Sequence, residues 1–248
     1  MTTTSPELTH LTDVPGTLFV TDAGQRLALS SPEVLANFVK YAELEIANQG
    51  TANSSLEFIG GGKEAVVREL PATELCIKTA GRYTGRKMHE NGRPTHARSL
   101  VTELYFMDAV KKLVENRDPL ITVPTHYATY RRSRQAFSML QDRLPIDTCN
   151  LKDISLSDYD RYLKISTTLR KRVSRALGIS VLRFGIGDLV PRRPWAHIGN
   201  IYLDSTLDPE GPLYLIDLIG NRAIRSAFCT LISTNAEIPK TLNITTEI

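Results

Sequence analysis

The sequence lacks several features that would place it in a specialised class of protein. No run of apolar residues approaches the roughly 18 that a transmembrane helix needs. Cys76, Cys149 and Cys229 are an odd number of cysteines at wide spacing, so neither a disulfide framework nor a zinc site is expected. The N-terminal segment has no basic start and no apolar core, so we expect no secretory signal. These absences predict a cytoplasmic protein with reduced thiols and no membrane partner.

The sequence also carries little net charge. Its 30 lysine and arginine residues exceed its 27 aspartate and glutamate residues by only three, which requires no nucleic-acid partner. Arginine-rich groups at 131–134, 170–175 and 192–193 leave a nucleic-acid-associated module open as a weaker alternative, but they lack the interleaved aromatic residues of a recognised motif. The group at 170–175 falls on a long predicted helix, Leu156–Leu177, and is interpreted as the solvated face of that helix.

The 248 residues, 42% of them hydrophobic, are enough to bury a core in one or two domains. Hydrophobic periodicity predicts strands, a helix, more strands, a second helix and a hairpin, which together indicate an α+β fold with two lobes. We expect an N-terminal extension over 1–55, a sheet-rich lobe over 56–142 and a second lobe over 143–248. The extension is predicted to contain a helix that follows a hairpin, in which Thr17–Val20 pairs with Leu27–Leu29 around a turn at Asp22, Ala23 and Gly24.

A glycine-rich segment between two predicted strands is the first candidate for binding chemistry. Gly60, Gly61 and Gly62 are followed by Lys63 and, two residues later, by Ala65. Glycines let backbone N–H groups approach a phosphate because no Cβ stands in the way. The segment is not a Walker A loop, since the terminal Gly-Lys-Ser/Thr is missing. A tight hairpin without a ligand is the alternative.

Two charged residues follow at spacings that allow an ion pair. Lys78 ends an apolar strand, where it could fold back under the glycine segment and meet nucleotide phosphates as a point charge. Glu103 borders the apolar face of an amphipathic helix predicted over Ser99–Glu115, where it could hold Lys78 in place. The alternatives are an edge lysine and a solvated glutamate.

Asn200 and Asp217 lie at the two ends of a predicted hairpin whose turn is expected at Asp208–Gly211. An amide oxygen and a carboxylate in such positions can both face one Mg²⁺, and hard oxygen ligands suit Mg²⁺ bound to a triphosphate. Three apolar residues precede Asp217, so its carboxylate would be costly to bury without a cation. The alternative is that both residues simply close the hairpin.

The order of glycine loop, strand lysine, helix glutamate, asparagine and aspartate resembles the protein-kinase-like superfamily. The segment Gly60–Ala65, reading GGGKEA, is similar to the loop of the RIO kinases. The segment His197–Asn200 is similar to the H-x-G-N of aminoglycoside and choline phosphotransferases and of small phage kinases. Asp217 stands where the metal-binding aspartate of Asp-Phe-Gly would be. The resemblance spans roughly residues 56–222.

This resemblance implies a two-lobed protein-kinase-like fold with a shortened C-terminal lobe, since 31 residues follow Asp217. It implies that the glycine loop covers ATP, that Lys78 pairs with Glu103, and that Asn200 and Asp217 hold Mg²⁺. It also places two residues at the strand and hinge that would meet the adenine, Met139 and Gln141.

One departure from the superfamily concerns the catalytic aspartate. Trp195 occupies the position five residues before Asn200 where that aspartate is expected, and an indole cannot accept a hydroxyl proton. Asp188, in a Gly-Asp-Leu sequence, resembles the catalytic aspartate of phosphotransferases and would require an insertion after it. The expected function is an ATP- and Mg²⁺-dependent phosphotransferase, a minimal Ser/Thr protein kinase. The alternatives are a small-molecule phosphotransferase and a pseudokinase that acts as a nucleotide-binding or protein-interaction module.

Overall fold

A computed structural model describes residues 16–47, 54–61, 65–80, 110–133, 136–151, 154, 158–178 and 200–216. The fold is mixed α+β with two sheets, and the described residues form four helices: α1 Asp22–Ser30, α2 Pro32–Ala47, α3 over 110–117 and α4 Tyr159–Leu177. Their ten strands are β1 Thr17–Val20, β2 Phe58–Gly61, β3 Ala65–Glu69, β4 Leu75–Ala80, β5 Ile121–Thr122, β6 His126–Ser133, β7 Ala136–Asp142, β8 Cys149–Asn150, β9 Ile201–Leu203 and β10 Leu213–Leu215.

The chain divides into two compact units. The first comprises Met1–Tyr105, Thr125–Arg143 and Thr241–Ile248, and the second comprises Phe106–Pro124 and Leu144–Lys240. None of the described helices has the length and apolarity that a membrane span requires.

An antiparallel six-stranded sheet in the order β1-β6-β7-β4-β3-β2 forms the first unit. Helix α2 packs on one face of this sheet. It buries Leu35, Phe38, Ala42 and Ile46, whose spacing places them on one side of the helix, against Ile77 of β4 and Leu140 of β7. The predicted helix after residue 30 and the predicted strands at β3 and β4 are confirmed. Strand β2 is shifted by two residues from the predicted Leu56–Ile59, so that it includes Gly60 and Gly61, which were expected to follow the strand.

The predicted hairpin between Thr17–Val20 and Leu27–Leu29 is wrong in its second half. Val20 ends a strand that pairs with β6, but the residues after it form α1. The Thr21 side chain accepts a hydrogen bond from the Gly24 N–H at 3.1 Å and caps the helix. Gly24 is required here because a Cβ would lie 2.0 Å from the Tyr127 carbonyl oxygen of β6. The glycine that suggested a turn instead allows a helix to approach a strand.

The second unit contains a four-stranded sheet in the order β5-β10-β9-β8, in which only β5 and β10 are parallel. Helix α4 begins at the N-cap Asp158 and ends at Gly178, which adopts the left-handed conformation with φ 67°. The predicted helix is confirmed, but its basic group is not wholly solvated. Arg170 and Arg172 are 8% and 6% exposed, whereas Lys171 and Arg175 are exposed.

Candidate functional site

A single row of facing residues crosses the six-stranded sheet of the first unit. Gly60 faces Val67, Val67 faces Lys78, and Lys78 faces Met139. The row continues through Thr129 of β6 to Phe19 of β1 and ends there. Residues that face each other in antiparallel strands project from the same side of the sheet. Since Ile77 packs toward α2, the neighbouring Lys78 and its row lie on the opposite face.

Burial divides this row into two halves. Phe19, Thr129 and Met139 are at most 2% exposed. Lys78, Val67 and Gly60 are each partly accessible. The accessible half therefore consists of a glycine, a small apolar side chain and a cation, which is a combination that can meet the phosphates of a nucleotide.

Gly60 has no evident structural need to be glycine. Its φ is not in the left-handed region, unlike that of Gly16 and Gly178. Among the described residues, no atom lies within 4 Å of the position that its Cβ would occupy. Within the described residues, neither a left-handed backbone nor a packing contact explains the glycine, which lies at the register shift between Phe58 and Gly60 on β2. Open space above the backbone at this position leaves room for a ligand to approach.

The residues next to Lys78 on the same face of the sheet lie on β4 and β7. Cys76, two residues earlier on β4, faces Gln141 of β7, and its thiol donates to the Asp142 carbonyl oxygen at 3.6 Å. Burial raises the pKa of Cys76 to about 12, so the thiol stays protonated. Met139 is buried and Gln141 is partly accessible, so Gln141 is the more available of the two residues expected near adenine.

The β9–β10 hairpin of the second unit positions Asn200. Ile201 and Leu203 face Leu215 and Leu213 respectively, and all four side chains are fully buried. The ladder extends one step further because the Ile216 N–H donates to the Asn200 carbonyl oxygen at 2.9 Å. Asn200, partly accessible, thus lies at the open end of the hairpin, opposite the residue that immediately precedes Asp217.

Arg172 of α4 fixes the turn end of the same hairpin. Its guanidinium donates to both carboxylate oxygens of Asp118, at 2.7 and 3.0 Å, and to the carbonyl oxygens of Pro209 and Gly211, at 2.9 and 2.5 Å. The hydrogen bonds from Arg172 hold the pKa of Asp118 below its ordinary value of 3.8. The buried arginine therefore ties together helix α4, the segment before β5 and the hairpin turn.

Several predicted site residues lie outside the described residues: Gly62, Lys63, Glu103, Asp188 and Asp217. Trp195 and His197 lie outside them as well. The predicted pairing of Lys78 with Glu103 and the predicted metal pair therefore stay predictions. The part of the chain that the structure describes contains no group of three or more His, Cys, Asp or Glu residues that could hold a metal ion.

The structure adds one residue that the sequence reasoning did not single out. Val67 lies between Gly60 and Lys78 in the row, and the sequence carried no signal for it, because Val66 and Val67 are alike and the charged Arg68 is unexpectedly buried.

Comparison of the chain with models of protein families, with curated proteins and with solved structures gave no match.

Proposed function

We propose that the protein is an ATP- and Mg²⁺-dependent phosphotransferase of the protein-kinase-like type, with a Ser/Thr hydroxyl of a protein as the first choice of acceptor. One observation carries the proposal: Gly60 and Lys78 occupy the accessible half of one cross-strand row, with only Val67 between them. Adjacent strands lie about 4.8 Å apart, so the two backbones are about 10 Å apart. A phosphate chain against the glycine backbone and the long lysine side chain can bridge that distance.

The residues in the accessible half of the row suit a polyphosphate. The open position at Gly60 accommodates an anion close to the backbone, and the Lys78 ammonium supplies a positive charge on the same face of the sheet. The transferring phosphoryl group needs little covalent help, so positioning and charge neutralisation provide most of the rate enhancement.

Asn200 and Asp217 are the proposed metal ligands. The described end of the hairpin fits this role, because Asn200 is partly accessible and the residue opposite it directly precedes Asp217. An amide oxygen and a carboxylate form a donor set that matches Mg²⁺. When bound, Mg²⁺ would neutralise phosphate charge. Asp188 is the proposed group that aligns the acceptor hydroxyl, in line with the resemblance of its Gly-Asp-Leu sequence.

Trp195 supports a second candidate function. It stands where kinase-like proteins carry the catalytic aspartate, and it cannot act as a proton acceptor. If Asp188 does not replace that aspartate, the protein is a pseudokinase that binds nucleotide without transferring phosphate. A small-molecule acceptor is a further variant of the main proposal, supported by the H-x-G-N sequence.

Thermal unfolding with Mg²⁺ and ATP separates these functions, because a ligand that binds the folded state raises Tm. We expect Tm of the wild-type protein to rise with Mg²⁺ and ATP together. Lys78→Met and Asp217→Ala should reduce that rise, whereas Lys171→Met, on the exposed face of α4, should leave it unchanged. No rise in the wild-type protein would contradict both nucleotide-binding functions.

Transfer of radiolabelled phosphate from ATP then distinguishes the kinase from the pseudokinase. The kinase transfers label to itself or to a generic Ser/Thr substrate, and Asp188→Ala abolishes transfer while the Tm rise with Mg²⁺ and ATP remains. Nucleotide binding without transfer to a protein or to a panel of small hydroxyl acceptors favours the pseudokinase.

A further inference from the structure

The glycine-bearing hairpin formed by β2 and β3 is fastened to α2 at the end remote from its glycines. Glu45, on the sheet-facing side of α2, accepts a hydrogen bond from Arg68 Nε of β3 at 2.8 Å. The two side chains are 3% and 8% exposed. This ion pair is buried between a helix of the N-terminal region and strand β3, in which Val67, the residue before Arg68, lies beside Lys78.

The same two side chains also hold the chain that leads into β2. Arg68 Nη1 donates to the Leu56 carbonyl oxygen at 3.0 Å. The second carboxylate oxygen of Glu45 accepts from the Ser54 hydroxyl, whose oxygen in turn accepts the Leu56 N–H at 3.0 Å. The Arg68 guanidinium lies 6.0 Å from the ring centroid of Phe58. Strand β3 and the segment that leads into β2 are therefore joined to one carboxylate, and we call Glu45, Arg68, Ser54 and Leu56 the base clamp.

We propose that Glu45 and Arg68 are positioning residues that keep the glycine-bearing hairpin in register with Lys78. The inference rests on the proposed nucleotide-binding function and assigns the N-terminal region a role in it. Strand β3 is the only element between Gly60 and Lys78 in the row, so a shift of β3 changes the distance between them. A buried charged pair resists such a shift, because any displacement separates desolvated charges.

The β2–β3 pairing by itself offers weaker control of register. Among the described strands β2 is the edge of the sheet, its register shifts between Phe58 and Gly60, and Phe58 and Ile59 are exposed. Edge strands with little burial on one face specify register poorly. The base clamp supplies the constraint that the exposed side chains of β2 do not.

Glu45→Gln tests the proposal, because it removes the charge while preserving the shape of the side chain. Leu35→Ala is the matched control: it lies on the same face of α2 and is 2% exposed, and its truncation loosens helix packing without touching the clamp. Mg²⁺ and ATP are titrated into each variant. We expect Kd for the nucleotide to rise about tenfold in Glu45→Gln, equivalent to about 1.4 kcal/mol of binding free energy, and to change little in Leu35→Ala.

Amide hydrogen exchange without nucleotide gives a second reading that does not depend on the proposed function. Amide exchange at Val66, Val67 and Arg68 should be faster in Glu45→Gln than in the wild-type protein. It should not be faster in Leu35→Ala, even if that variant loses as much Tm or more. If Glu45→Gln does not fold, Ser54→Ala, which removes only the bridging hydroxyl, provides the same two readings.

Unchanged exchange, or nucleotide affinity that simply follows Tm in both variants, overturns the proposal. If the wild-type protein binds no nucleotide, the proposed function fails. Faster amide exchange in Glu45→Gln alone would then show that the base clamp stabilises the hairpin. The proposed role of the base clamp in nucleotide positioning would be refuted.

Discussion

Gly60 and Lys78 lie in one cross-strand row of the first unit, two strands apart and on the same face of the sheet. Val67 between them is small enough to leave both partly accessible. The opposite end of the row, at Met139 and beyond, is closed by burial. This arrangement gives the sheet one open end with a glycine and a cation, and it is the basis of the proposed phosphate site.

The first prediction concerns Gly60→Ala. The position has open space and no left-handed backbone, so the variant should fold with Tm unchanged or slightly raised, since alanine lowers the entropy of the unfolded chain. A Cβ that points toward a bound phosphate should nevertheless weaken affinity for Mg²⁺ and ATP. Paired thermal unfolding and nucleotide titration measure the two effects separately.

Gly24→Ala is the contrasting control. Its Cβ would collide with the Tyr127 carbonyl oxygen, so Tm should fall by several degrees through loss of the α1–β6 approach. A large loss of stability in Gly60→Ala, or no change in its nucleotide affinity, would contradict the assignment of Gly60 to the site.

The second prediction is that Arg172→Met strongly destabilises the second unit. The substitution leaves the Asp118 carboxylate and the Pro209 and Gly211 carbonyls without their donor. Removing one partner of a largely buried ion pair costs about 3–5 kcal/mol, and the lower figure is expected because Asp118 is 22% exposed. Denaturant unfolding measures the loss. A loss below about 1 kcal/mol would place the pair among ordinary surface ion pairs.

The third prediction is the pH dependence of that pair. Arg172 depresses the pKa of Asp118 in the folded protein, so the pair stabilises the fold fully above the ordinary value of 3.8. The contribution is lost as pH falls through the lower, folded-state pKa. Below pH 3.8, Asp118→Asn should therefore lose stability less steeply than the wild-type protein. Identical slopes in the two proteins would show that this carboxylate is not coupled to folding.

The fourth prediction concerns the two described cysteines. Cys76 is 2% exposed and burial raises its pKa to about 12, whereas Cys149 is partly accessible. Alkylation of the folded protein at mildly alkaline pH, followed by peptide mass spectrometry, should modify Cys149 well before Cys76. Equal rates would mean that β4 opens readily and that the row through Lys78 is not rigid.

The sequence predicted the elements whose signals are local. Leu35, Phe38, Ala42 and Ile46 recur at helical spacing, and α2 is found there. The Asp208–Gly211 turn was also recognisable from its composition, and the hairpin of β9 and β10 surrounds it. In both cases the residues that determine the structure are neighbours along the chain.

Errors arose where a distant contact decides the outcome. Gly24 was interpreted as a turn residue because its partner, the Tyr127 carbonyl, lies about a hundred residues away. Arg172 was assigned to a solvated face because its helix position alone does not reveal Asp118 or the hairpin carbonyls. Amphipathic patterns do not distinguish an exposed arginine from one buried among acceptors.

The candidate site was predictable in its parts and not in its register. The sequence predicted one strand between the glycine segment and the strand that carries Lys78. In the structure β3 lies between β2 and β4, as predicted. Lys78 faces Met139 because β4 pairs with β7, and about sixty residues separate the two positions along the chain. Hydrophobic periodicity does not predict which distant strands pair or in which register.

Calorimetric titration of Mg²⁺ and ATP into the wild-type protein, with Lys78→Met as its partner, tests the central claim most directly. The account predicts saturable binding at one site that needs both the metal and the nucleotide, with affinity reduced at least about tenfold in Lys78→Met because the phosphates lose a charged donor. Absence of binding to the folded wild-type protein, or equal affinity in Lys78→Met, would contradict it.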